Sequence, residues 1–148
     1  SILRAVDVPE FGGDTLWASQ YAAFETLSEG LRNLLRPMKA VHINFKLAAT
    51  HPVVRKHPET GREALYVNAG FTQHFENMTR EESRPLLNYL VAVGSSPDIS
   101  MRHRWQRNDV VMWDNRCVMH FAVHDYGEAT REMIRVTVRG EAPMASKR

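Results

Sequence analysis

Seven histidines fall within 148 residues, and some of them are spaced as a metal would require. His57-Pro58-Glu59 and His74-Phe75-Glu76 each place a carboxylate two residues after an imidazole, and His120 or His124 could supply a more distant one. Two histidines and one carboxylate on one face of a metal leave three positions open, which suits iron(II) with a chelating cosubstrate and oxygen. Alternate residues of an extended chain point the same way, so an H-x-D or H-x-E spacing aims both ligands at one ion. However, His57 and Glu59 lie in turn chemistry beside Gly61, and His74 and Glu76 lie on the polar approach to a helix. Among seven histidines such pairs arise easily by accident, and neither is preferred. His120 is mid-strand between Met119 and Phe121, where a core histidine and a metal ligand are both open readings.

Arg131 and Arg135 are four apart near the end of the chain. If both are extended they share a face, separated by roughly 13 Å at about 3.3 Å per residue. They form either the solvent side of a strand whose apolar side is Ile134, Val136 and Val138, or two clamps for different anions. The planar guanidinium holds a carboxylate or sulfonate through paired hydrogen bonds. Gly12-Gly13-Asp14-Thr15 is a turn signal with no phosphate-loop lysine after it, and Thr15 could donate its hydroxyl to a ligand or merely open a strand.

The elements that must position these groups follow from periodicity. A strand is expected over Ser1 to Val8, ended by Pro9 and the glycines, and a second over Thr15 to Ala18. The three-and-four spacing of Tyr21, Phe24, Leu27, Leu31 and Leu35 predicts one or two short helices between Ser19 and Arg36, with an N-cap at Ser28 and a stop at Pro37. Lys39 to Thr50 lacks clear periodicity beyond a strand at Val41 to Phe45. PETGRE, between Val53-Val54 and Ala64 to Val67, reads as a hairpin turn. Thr79 and Glu82 form a capping box for a helix to about Gly94, which Pro85 should kink or delay. Strands then follow at 101–105, 110–113, 117–123 and 132–140. About seven strands and a few helices imply a mostly β fold, an antiparallel sheet or double-sheet roll.

The length suits one domain. Nineteen basic and 17 acidic residues are spread evenly, so no nucleic-acid surface is expected. A lone cysteine, Cys117, excludes an internal disulfide and fits a cytoplasmic location. No apolar run reaches about 18 residues, so no membrane partner is expected. The start inside a strand suggests the later part of something longer.

Together, GGDTLWAS (12–19), HPVVRKHPETGREALYVNAGF (51–71) and the block from RWQRNDVVMWDNRCVMHFAVHDY to TREMIRVTVRG (104–140) resemble the taurine dioxygenase family of Fe(II)- and 2-oxoglutarate-dependent oxygenases. The third block is the most specific, since it fixes W-D-N-R, His120 four residues after Arg116, and both later arginines in one register. The resemblance implies a double-stranded β-helix, or jelly roll, with iron(II) held by an H-x-D pair and a distal histidine, which His120 matches. It assigns Arg131 and Thr15 to 2-oxoglutarate, Arg135 to the anionic group of the substrate and Phe71 to the substrate pocket, and places Trp17 and Trp113 close to the metal centre. In the family the H-x-D lies upstream of the GGDT motif, on a segment that would precede Ser1. A longer insertion stands where this chain has only INFKLAAT, near 42–50. Residues 1–148 would then be the C-terminal part of one catalytic jelly-roll domain.

The implied activity is hydroxylation of a small anionic substrate, of the taurine, alkyl sulfonate or sulfate-ester class, with oxygen consumed and succinate and carbon dioxide released. A homo-oligomer is expected. The alternatives are a non-catalytic jelly-roll binding module that has lost its metal, and a cupin-like hydrolase or isomerase built on the local His/Glu pairs.

Overall fold

The computed structural model describes residues 1–45 and 47–146, so Lys46, within the 42–50 stretch where a shortened insertion is expected, lies outside the described residues. Six strands build two facing antiparallel sheets. One is β11 (Glu132–Val136), β1 (Ile2–Asp7), β9 (Val110–Met112), in that order; the other is β10 (Val118–Ala122), β2 (Thr15–Ser19), β8 (Ser100–His103). Strand alternation sends every second side chain between them. Ala5, Trp17, Trp105 and Trp113 form the buried cluster there, with Leu3, Val111, Val118 and Met133 packed against it. Trp17 meets Trp105 and Trp113 with ring centroids 6.0 and 5.7 Å apart, tilted at about 60°, an arrangement that suits the quadrupoles of aromatic rings. The mostly β, double-sheet expectation is met, in the manner of a jelly roll.

The second core lies beside this sandwich. Strand β3 (Lys39–Asn44) pairs with β4 (Leu47–Pro52) and β7 (Thr72–Phe75), and β5 (Val54–Lys56) with β6 (Glu63–Leu65) and β12 (Met144–Ala145). Helices α1 (Gln20–Glu25) and α2 (Glu29–Leu35) are capped by the hydroxyls of Ser19 and Ser28, the latter as expected. Helix α3 (Arg80–Gly94) starts with the Thr79/Glu82 capping box. Phe24, Leu35, Val53, Val54, Leu65, Phe75, Leu87 and Leu90 bury their side chains together between these elements.

Several expectations need correction. Pro85 does not delay α3, which begins at Arg80. Pro85 is exposed, so the carbonyl that loses its partner there can face water. Among the described residues, twelve strands replace the expected seven or so. The stretch thought aperiodic is a hairpin, β3–β4, whose turn holds Phe45 at φ 53°. His74 precedes the helix as expected, but within a strand. It sits in β7 opposite Val41, with its Nδ1 donating to the carbonyl of Phe75 at 2.8 Å. The terminal strand ends at Val136, short of Gly140.

Two buried polar groups make this second core testable. Ser83, fully buried, donates to the carbonyl of Thr79 (2.7 Å) and accepts from the amide of Phe75 (3.0 Å), joining α3 to β7. Ser83→Ala strands the Phe75 amide and should cost about 1–3 kcal/mol in chemical denaturation. His42, buried on β3, stacks on Tyr66 at 5.6 Å and meets His51 edge-on at 5.2 Å. Burial, aided by His51, lowers its pKa to about 4. Between the ordinary histidine value of about 6.5 and about 4, the unfolded chain therefore binds a proton that the folded one refuses, and stability must fall as pH drops through that window. His42→Phe, which keeps the ring and removes the titration, should flatten the decline in urea midpoint measured between those pH values. A slope equal to that of the native protein would contradict the assignment.

Candidate active site

The candidate residues lie on the faces of the two sheets that look at each other. In β2, Thr15 and Trp17 point inward, and the antiparallel register sets His120 of β10 opposite Trp17. The His120 ring packs on Trp113 at 5.0 Å between centroids, and Trp113 contacts Trp17. From the opposite sheet, Arg135 is paired with Leu3 and Met133 with Ala5, so both project inward, and the Arg135 guanidinium lies 5.5 Å over Trp113. The register thus orients the terminal strand. Its arginine side faces the interior, while Ile134, Val136 and Val138 are exposed.

Thr15 is buried, and its oxygen accepts the indole N–H of Trp105 at 2.9 Å. Its lone pair is engaged and its own proton remains to be given. Arg131, just ahead of β11, passes its Nε–H to the carbonyl of Gly13 at 2.9 Å. Its Nη2 is buried with no partner among the described residues, and so is the indole nitrogen of Trp17. A buried donor without an acceptor costs about 1–3 kcal/mol, so a guanidinium kept this way calls for an anion. Arg135 is the contrary case. It is exposed, with one 3.3 Å hydrogen bond to the Ser1 hydroxyl, so the desolvation argument for an anion belongs to Arg131 and not to Arg135.

His120 is suited to ligate a metal in its neutral form. Although part of the residue is open to solvent, burial of the ring holds its pKa below the ordinary histidine value, and the charges of Arg135 and the amino terminus push the same way. A metal-binding imidazole must be unprotonated. Phe71, in the loop before β7, is exposed and does not touch this cluster; it meets His120 only across a cleft of about 560 Å³. Leu16, Ala18, Met119 and Phe121 line that cleft from one face of their sheet, and Val118 and His120 from the other, so it runs along the unpaired edge of β10. Its size and apolar walls suit a small ligand.

The local His/Glu pairs are elsewhere. His57 Nδ1 accepts from the amides of Glu59 and Thr60, which leaves its proton on Nε2, directed at Asp114 at 3.1 Å. Asp114 also takes Arg116 through its side chain and backbone; those contacts, Arg116 first, hold its carboxyl far below the usual carboxylate range. Among the described residues, His57, Asp114 and Cys117 are the one group of three ligating side chains within 4.8 Å. The occupied lone pair of His57 and the arginine on Asp114 make it a hydrogen-bonded brace for the W-D-N-R turn, unsuited to a cation. His74 and Glu76 are tied to β7 and to Lys39. His124 reaches only the hydroxyl of Tyr126.

Sequence reasoning missed Trp105, which orients Thr15, and the carboxylates that fix the glycine turn: Asp14 and Asp125, bridged by Arg102. Only the position of Asp14 inside the glycine motif offered a signal.

Comparison with known proteins identifies the family. The family model described as taurine catabolism dioxygenase TauD, TfdA family matches residues 1–137. An alkylsulfatase of Acinetobacter baylyi is 36% identical over 95% of this chain and 52% of its own length. An alpha-ketoglutarate-dependent sulfate ester dioxygenase of Pseudomonas putida is 36% identical over 97% of this chain and 56% of its own. The crystal structure of a taurine dioxygenase from Burkholderia xenovorans superposes with a TM-score of 0.94 at 36% identity, covering 97% of this chain and 53% of that one. The chain thus spans about half the length of these relatives. With the match running from the first strand through β11, this chain belongs to the taurine catabolism dioxygenase TauD, TfdA family.

Proposed function

We propose that the protein is an iron(II)- and 2-oxoglutarate-dependent dioxygenase that hydroxylates a small anionic organic substrate of the taurine, alkyl sulfonate or sulfate-ester class. The observation that carries this reading is the buried Nη2 of Arg131, without a partner among the described residues, on a side chain hydrogen-bonded to Gly13, two residues before a threonine whose hydroxyl proton is free. A dicarboxylate satisfies both donors at one end, and the family works with 2-oxoglutarate and iron(II).

Each residue then has a task. Arg131 and Thr15 receive the distal carboxylate of 2-oxoglutarate, and the hydrogen bond from Arg131 to Gly13 fixes how the guanidinium is presented. His120 gives one imidazole to the metal; the remaining ligands are expected from the H-x-D pair. Bound iron supplies oxygen activation, coupling oxidative decarboxylation of 2-oxoglutarate to succinate and carbon dioxide with oxygen insertion into a substrate C–H bond. Trp17 and Trp113 wall the centre and exclude water. Arg135, on its Trp113 platform, faces the anionic group of the substrate, and Phe71 with the apolar cleft takes its carbon body. Hydroxylation at the carbon bearing a sulfonate or sulfate lets the product collapse with loss of sulfite or sulfate. Alkylsulfatase and sulfate ester dioxygenase relatives support that class.

No helix among the described residues is long and apolar enough to cross a membrane. A cytoplasmic location and self-association complete the reading.

In the full-length protein, Arg131→Ala should raise the 2-oxoglutarate concentration needed for half-maximal succinate release roughly ten- to hundredfold, as expected for lost hydrogen bonds to a charged group. An unchanged requirement would remove Arg131 from this role. Succinate release screened across sulfonates, alkyl sulfates, aryloxy carboxylates and uncharged analogues should depend on an anionic substrate. Turnover of uncharged compounds alone would refute the anion assignment, and 2-oxoglutarate binding without any turnover would identify the non-catalytic binding module.

A further inference from the structure

We propose that Asp125 is a positioning residue for the 2-oxoglutarate anchor, acting through Gly13 on the guanidinium of Arg131; this rests on the function proposed above. Gly13 is gripped from two sides. Its N–H donates to Asp125 Oδ1 at 2.7 Å, and its carbonyl accepts from Arg131 Nε at 2.9 Å. Both grips need glycine. Gly12 and Gly13 have φ of +79° and +71°, a region that L side chains rarely adopt. A Cβ on Gly12 would lie 2.6 Å from Asp125 Oδ1, and one on Gly13 would lie 3.0 Å from Arg131 Cδ. The two glycines therefore let one side chain each come hard against the turn.

The carboxylate is itself fixed. Asp125 Oδ2 accepts from Arg102 Nη2 at 3.2 Å, and Arg102 Nε donates to Asp14 Oδ2 at 2.6 Å. The amide of Val123 donates to the carbonyl of Asp14 at 2.9 Å, so the segment bearing Asp125 is stitched to the turn by backbone as well. The Gly13 amide, the leading influence, holds the Asp125 carboxyl below the ordinary carboxylate range. The ion pair to Arg102 is exposed and contributes little by itself. The bond to Gly13 matters because the same residue receives Arg131, whose remaining Nη2 then points into a buried space without a partner. Asp125 follows β10 and Arg131 precedes β11, so one connection supplies both grips. Losing the first lets the turn drift, and the donors of Arg131 and Thr15 no longer meet one carboxylate.

The test uses the full-length protein loaded with manganese(II) in place of iron, titrated with 2-oxoglutarate in a calorimeter, with steady-state constants measured in parallel on the iron form. Asp125→Ala should weaken 2-oxoglutarate binding about tenfold and raise its KM by a like factor, leaving kcat and the KM of the organic substrate within about twofold. Asp125→Asn, which keeps an oxygen for the Gly13 amide, should stay within about threefold of the native protein. Unchanged 2-oxoglutarate affinity in Asp125→Ala, or an equal rise in both KM values, would overturn the inference. Should Asp125→Ala fail to fold, Asp125→Glu, whose carboxylate lies one methylene too far out for Gly13, reads the same affinity with the same two outcomes. Absence of 2-oxoglutarate binding by the native protein would defeat the functional reading and this inference with it, whereas native binding with an unmoved Asp125→Ala defeats this inference alone.

Discussion

The pairing of β2 with β10 is the constraint on which the site depends. His120 opposes Trp17, and Ala122 opposes Thr15, so the imidazole, the hydroxyl and the indole all face the other sheet. Side chains alternate strictly along a strand, and a slip of one residue would send His120 to the outer face and Phe121 inward. Three tryptophans guard against the slip. Trp17, Trp105 and Trp113 fill the space between the sheets with tilted contacts that hold in one register only, and the indole of Trp105 is further pinned to Thr15. The packing that stabilises the sandwich is the same packing that aims the polar groups.

Charge then works against that packing in a controlled way. Arg131 carries a buried donor with no partner among the described residues, a desolvation cost that a bound anion would offset. Arg135 avoids the penalty by staying at the open side over Trp113. His120 avoids it by remaining neutral. Two arginines four residues apart thus differ in kind: one holds a buried donor without a partner among the described residues, and the other lies open over Trp113.

Much of this was legible in the sequence, and the failures have physical reasons. The Thr79/Glu82 capping box and the Ser28 cap were readable because they are local. The strands of the sandwich were readable because they alternate. Alternation misleads about orientation in β11, where Ile134 and Val136 look like the inner side and are exposed, while Met133 and Arg135 face the other sheet. Strands β4, β7 and β12 were missed since they are short, or closed by a turn without glycine or proline, and gain their stability from partners far off in the chain. The arginine roles needed a resemblance to fix them, because spacing alone could not separate a solvated face from a clamp. The Asp14–Arg102–Asp125 brace joins residues 88 and 23 positions apart, and no local pattern could have announced it.

The central claim is that His120 and Arg131 belong to one iron and 2-oxoglutarate site. Anaerobic addition of iron(II) and then 2-oxoglutarate to the full-length protein tests it most directly, followed as the visible charge-transfer absorption of the chelated metal. The account predicts a band that needs both additions, vanishes in His120→Ala and demands far more 2-oxoglutarate in Arg131→Ala. Absence of the band from the native protein, or a band indifferent to both substitutions, would contradict it.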